Sequence, residues 1–177
     1  RQGVAYQVIG GPRFYDRAEI KDAIAYLQSI DNPYDAVSLT RIANRPRRGV
    51  GDTSLARLQT FANGEGISIW EAMTRSDEVG LAPASNKNVQ QLVGLLQSLM
   101  AGALDMSVAE VVERVLERSG YLEALEAERT IEARGRIENL EELVGVAREY
   151  DETAQEPSLS GFLQEISLYS DQDALRD

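Results

Sequence analysis

The sequence predicts an all-α domain with one short strand at its start. Three observations carry that expectation. Apolar residues recur three and four apart over most of the chain. Ser or Asp stands three residues ahead of Glu at three of the helix starts, and Gly or Pro separates the periodic segments.

Residues 5–9 (AYQVI) alternate like a strand and stop at Gly10-Gly11-Pro12. Asp16 with Glu19 forms a capping-box pattern, and Ile20, Ala23, Ile24 and Leu27 follow at helical spacing until Asp31-Asn32-Pro33. A shorter helix over residues 35–44 carries Val37, Leu39 and Ile42. After the segment 45–53, Leu55, Leu58, Phe61 and Ala62 stripe a helix over residues 54–62, which should stop at Gly64. Ser68 with Glu71 caps a short helix containing Trp70, and residues 77–84, with Gly80 and Pro83, read as a loop. A long helix over 85–104 turns Val89, Leu92, Val93, Leu96, Leu99 and Met100 inward. Ser107 and Glu110 cap the next, with Gly120 as its C′ residue. Helices over 121–128 and 131–150, a polar break at 151–157, and a last helix marked by Leu159, Phe162, Leu163 and Ile166 complete the chain.

The most informative stretch is Arg45-Pro46-Arg47-Arg48-Gly49-Val50-Gly51-Asp52-Thr53. The proline stops one helix, the glycines permit a sharp turn with φ > 0, the valine plugs the core, and Thr53 is the expected N-cap of the helix behind. Exposed amides at a helix start favour an anion, so the turn predicts contact with a nucleic-acid backbone without base reading. A plain turn between two core helices is the bland alternative.

Charge distribution fits the first reading. The 177-residue chain carries a net −11, yet residues 1–60 hold nine Lys/Arg against six Asp/Glu, while residues 61–177 hold nine against twenty-three. Between Arg41 and Arg57 five arginines face a single acid, Asp52. A local basic patch on an acidic body suits a module that touches phosphate at one place.

Composition removes several chemistries. There is no cysteine for a disulfide or thiolate and no histidine for general-base or zinc chemistry. Lys21 is followed by Asp22 and Lys87 by Asn88, so neither lysine can complete a phosphate-cradling P-loop. Glu138, Glu141 and Glu142 sit at helical spacing, but bundle metal sites pair such glutamates with histidine, which favours a solvated acidic face. Tyr6, Phe14 and Tyr15 beside Arg13 and Arg17 could stack on single-stranded bases, though packing of strand on helix is favoured. No apolar run is long enough to span a bilayer, and no catalytic, cofactor or metal residue is expected. With no initial Met, the chain reads as a piece of a larger protein.

Residues 8–27 (VIGGPRFYDRAEIKDAIAYL), Asp31-Asn32-Pro33, residues 38–42 (SLTRI), the Arg-Gly-Val-Gly turn, residues 132–143 (EARGRIENLEEL) and the stretch from Phe162 to Asp171 closely resemble the UvrD/PcrA/Rep family of superfamily-one DNA helicases. The resemblance implies the 2B subdomain, a regulatory helical insertion in the second RecA-like motor domain of a bacterial, cytoplasmic, ATP-dependent 3′–5′ helicase acting in DNA repair. Residues 1–32 would then belong to the motor, 33–170 to the insertion and 171–177 to the return junction. It also implies duplex or junction DNA as partner, with contact residues Arg47, Arg48, Gly49, Val50, Gly51 and Thr53. Other domains of the parent enzyme, and a second copy, are further implied partners. ATP and magnesium would act outside this stretch. Arg45 stands where the family commonly has an apolar residue, and Arg47 where it often has lysine.

Overall fold

A computed structural model describes the backbone of residues 13–176 and the side chains of residues 13–170. Among the described residues the regular elements are helices: α1 (Ala18–Asp31), α2 (Ala36–Ile42), α3 (Asp52–Glu65), α4 (Ile69–Thr74), α5 (Pro83–Ala103), α6 (Val108–Arg118), α7 (Tyr121–Glu128), α8 (Ile131–Thr153) and α9 (Leu159–Arg176). Single 3₁₀ turns occupy Phe14–Asp16 and Ser76–Glu78. The all-α expectation therefore holds. The strand expected at residues 5–9 and the Gly10-Gly11-Pro12 junction lie outside the described residues.

The core is organised around α1. Its Ile20, Ala23, Ala25, Tyr26, Leu27 and Ile30 are all buried, and it packs against α2, α5, α6, α8 and α9. A helix covered on nearly every side is a core helix rather than a surface one. Ile20 and Leu27 are both fully buried, each contributing about 2 kcal/mol relative to solvent exposure. Around α1, the described residues form one continuous hydrophobic core reaching from Phe14 to Ile166. The aromatic cluster resolves as packing: Phe14 and Tyr15 are buried edge to face at 5.0 Å, and Tyr15 stacks on Tyr169 of α9 at 6.5 Å. Tyr6 lies outside the described residues.

Several boundaries differ from expectation, each for a physical reason. The Asp16–Glu19 capping box does not form. Asp16 ends the 3₁₀ turn, and Glu19 points inward, where Asn139 Nδ2 donates to its Oε2 at 2.7 Å. α3 runs past Gly64 and ends at Gly66, whose φ of 68° supplies the left-handed cap. α5 begins inside the expected loop because Pro83 suits a first helical position, where its missing N–H is not needed. α8 continues to Thr153, and Asp151 there has a partner: its carboxylate accepts from the amides of Val108 (3.0 Å) and Ala109 (2.9 Å) at the start of α6. The capping boxes at Ser68–Glu71 and Ser107–Glu110 both form as expected. Among the described residues no helix is long and apolar enough to cross a membrane.

Candidate nucleic-acid interface

The Arg45–Asp52 segment links α2 to α3, and buried polar groups on other helices fix its path. Asn44 braces it from within. Its Oδ1 accepts from the amide of Arg48 at 2.7 Å and from that of Val50 at 3.3 Å, the local bonding that makes Asn a turn residue. Val50 is fully buried, so the central apolar residue plugs the core as the sequence suggests. Gly49 takes φ +77° and faces solvent. Its carbonyl accepts from Asn88 Nδ2 of α5 at 3.3 Å, and a Cβ there would sit 2.1 Å from that nitrogen. Gly51 keeps an ordinary φ of −91°, so only one of the two glycines needs its conformational freedom.

Gly51, not Thr53, is the N-cap of α3, because the helix starts two residues earlier than expected, at Asp52. Thr53 is the second helical residue and is exposed. Its hydroxyl is too far into the helix to cap it. The first intrahelical bond runs from the Leu55 amide to the Gly51 carbonyl at 3.0 Å. Among the described residues the amides of Asp52, Thr53 and Ser54, with those of Gly49 and Gly51, have no hydrogen-bond acceptor in the protein. Val50 differs, its amide being held by Asn44. The exposed Asp52 carboxylate offsets part of the positive helix end.

The five arginines counted between Arg41 and Arg57 do not form one cationic patch. Asp22, buried on α1, accepts from Arg41 Nε at 2.8 Å and Arg45 Nη1 at 3.2 Å on one oxygen. Its other oxygen accepts from the Tyr121 hydroxyl of α7 at 2.6 Å. Arg57 donates to the Gly80 carbonyl at 3.1 Å. Arg48 turns inward, donating to the carbonyls of Ile42 (2.7 Å), Ala43 (3.2 Å) and Ser119 (3.2 Å) and to the Tyr26 hydroxyl (2.6 Å). It thereby satisfies carbonyls left open at the end of α2, where a cation is favoured. Among the described residues Arg47 alone of the five has no ion pair or hydrogen bond, and it is exposed. Exposed Lys87, next to Asn88, is a second cation near the turn without such a partner.

Burial raises the Tyr121 phenol far above its ordinary value, and its hydrogen bond to Asp22 adds to the shift. Burial likewise raises Tyr26, although the neighbouring Arg48 pulls the other way. Sequence reasoning missed Asp22, Tyr26, Asn44 and Asn88. Asp22 and Tyr26 stand four apart on α1, a spacing that places them on one face and was readable in principle.

Among the described residues the body is all-helical, and an exposed glycine turn leads into the α3 start, which has no side-chain cap. The chain belongs to the UvrD-like helicase C-terminal domain family, whose model matches residues 1–176. It is 39% identical over 175 residues to an ATP-dependent DNA helicase PcrA of Staphylococcus aureus and 38% identical to that of Staphylococcus epidermidis. Each alignment covers 98% of this chain and 24% of the relative. The chain thus spans about a quarter of the length of the curated relatives it matches.

Proposed function

We propose that this chain is the 2B-type regulatory, duplex-binding subdomain of an ATP-dependent DNA helicase, its parent acting in DNA repair on duplex or junction DNA. One observation carries the reading: the amides of Gly49, Gly51, Asp52 and Thr53 have no acceptor within the protein, and these residues are exposed or half-buried beside unpaired Arg47. Four unpaired amides and one guanidinium match a phosphate, and none of them can distinguish one base from another. Within the sequence-derived contact set, Arg47, Gly49, Gly51 and Thr53 form the contact surface. Val50 and Arg48 hold that surface in shape.

ATP and magnesium belong, on this reading, to motor segments of the parent, and the chain alone turns over no ATP. On the family resemblance, residues 1–32 go with the motor, 33–170 with the body and 171–177 with the return junction. Because α1 shares its core with α2, α5, α6, α8 and α9, the packing favours moving the body's start back to Phe14. The body then reorients as a unit with α1, and DNA or a partner selects the orientation. Self-association is the second reading, supported by exposed Val37, Leu104, Ile131 and Leu168.

Fluorescence anisotropy of the chain with forked duplexes of unrelated sequence, titrated with salt, tests the proposal. Similar affinities for all sequences, falling linearly with log salt, are expected. Salt-independent binding, or none at low salt, contradicts it.

A further inference from the structure

We infer that Tyr26 is a positioning residue for the phosphate-contacting turn, acting through Arg48 and never touching nucleic acid. The inference rests on the duplex-binding reading of that turn. Tyr26 lies on α1 and is 1% exposed, so its hydroxyl is out of a ligand's reach. That hydroxyl makes two bonds. It accepts from Arg48 Nη2 at 2.6 Å and donates to the backbone carbonyl of Arg45. The bonded residues, Arg45 and Arg48, bracket Arg47, so one buried phenol fixes the chain on both sides of the only unpaired arginine of the segment.

The rest of the Arg48 guanidinium is equally committed. Its donors reach the Ile42, Ala43 and Ser119 carbonyls, which ties the end of α2 and the α6–α7 turn to the same point. A planar five-donor fork can serve four acceptors on three elements at once, whereas an ammonium group cannot. The cation next to Gly49 therefore works as a bracket. Its positive charge is needed less than its shape.

Tyr26→Phe removes the hydroxyl and keeps the ring in the core. Loss of hydrogen bonding worth about 1 kcal/mol predicts duplex binding weaker by about fivefold. The slope of log affinity against log salt should be unchanged, because no phosphate contact is lost. Arg48→Lys retains the charge but loses the fork, and should weaken binding in the same way. Hydrogen exchange at the Arg48 and Val50 amides, both held by Asn44, should accelerate in Tyr26→Phe while amides of α6 stay unchanged. A merely structural residue would lower melting temperature without these changes at the turn. Tyr26→Phe binding within twofold of the unaltered chain, a flattened salt slope, or undiminished duplex binding by Arg48→Lys would overturn the inference. If the unaltered chain binds no duplex, the functional reading fails by itself. Exchange then decides the positioning claim, with unaltered rates at Arg48 and Val50 counting against it.

Discussion

The starts of α6 and α3 differ in how the protein treats its own backbone. At α6, Glu110 Oε1 accepts from the Ser107 amide at 2.9 Å, Ser107 Oγ accepts from the Glu110 amide at 3.2 Å, and Asp151 takes the two amides between. That helix start is closed. At α3 the cap is a glycine, no side chain bonds back, and the first-turn amides have no acceptors within the protein. A glycine cap in place of Ser or Asp gives up about 0.3 kcal/mol of helix stability, so the open donors cost the fold little. On the function proposed above, the difference makes the open corner a ligand site and the closed one a structural joint. The segment's path is fixed from below by buried Asp22 and Tyr26 and by half-buried Asn44.

Asp22→Ala should break this arrangement most severely. It strands the Tyr121 hydroxyl and two guanidiniums that now share one buried carboxylate, and should destabilise the fold by about 3 kcal/mol in chemical denaturation. Tyr121 sharpens the same point through pH. Its folded-state pKa is raised above the unfolded value of about 10, so the folded state holds that proton more tightly. The resulting stability is fully present below pH ~10 and is lost as pH rises above it, and Tyr121→Phe should flatten this alkaline decline in melting curves. Gly49→Ala should follow at about 1.5 kcal/mol, from its positive φ and the collision with Asn88, with the loss read by thermal denaturation. Ser107→Ala, which opens the closed helix start, should cost about 1 kcal/mol and leave duplex binding unchanged. Gly51→Ala should be the mildest, at about 0.5 kcal/mol, since its φ suits any residue and a Cβ there meets nothing within 4 Å.

Local codes were readable in the sequence. The two Ser-x-x-Glu boxes, the apolar stripes of α1 and α5, and the buried Val50 all depend on residues a few positions apart. Contacts across the chain were not. The failed Asp16–Glu19 box shows why: Asn139 on α8 draws Glu19 inward, and no local pattern announces a partner so distant. The basic patch failed in the same way. Five arginines in seventeen residues look like a cationic surface, but Asp22, the Gly80 carbonyl and the end of α2 absorb four of them. Thr53 was misplaced because the cap was a glycine, a weaker signal than the nearby threonine.

The salt dependence of duplex binding in Arg47→Ala, set beside that in Arg48→Ala, tests the open-corner claim most directly. Arg47 is the free cation, so its removal should lower the slope of log affinity against log salt by about one unit. Arg48 is a bracket, so Arg48→Ala should weaken binding at every salt concentration and leave the slope intact. A slope that flattens for Arg48→Ala and stays unchanged for Arg47→Ala would contradict the account.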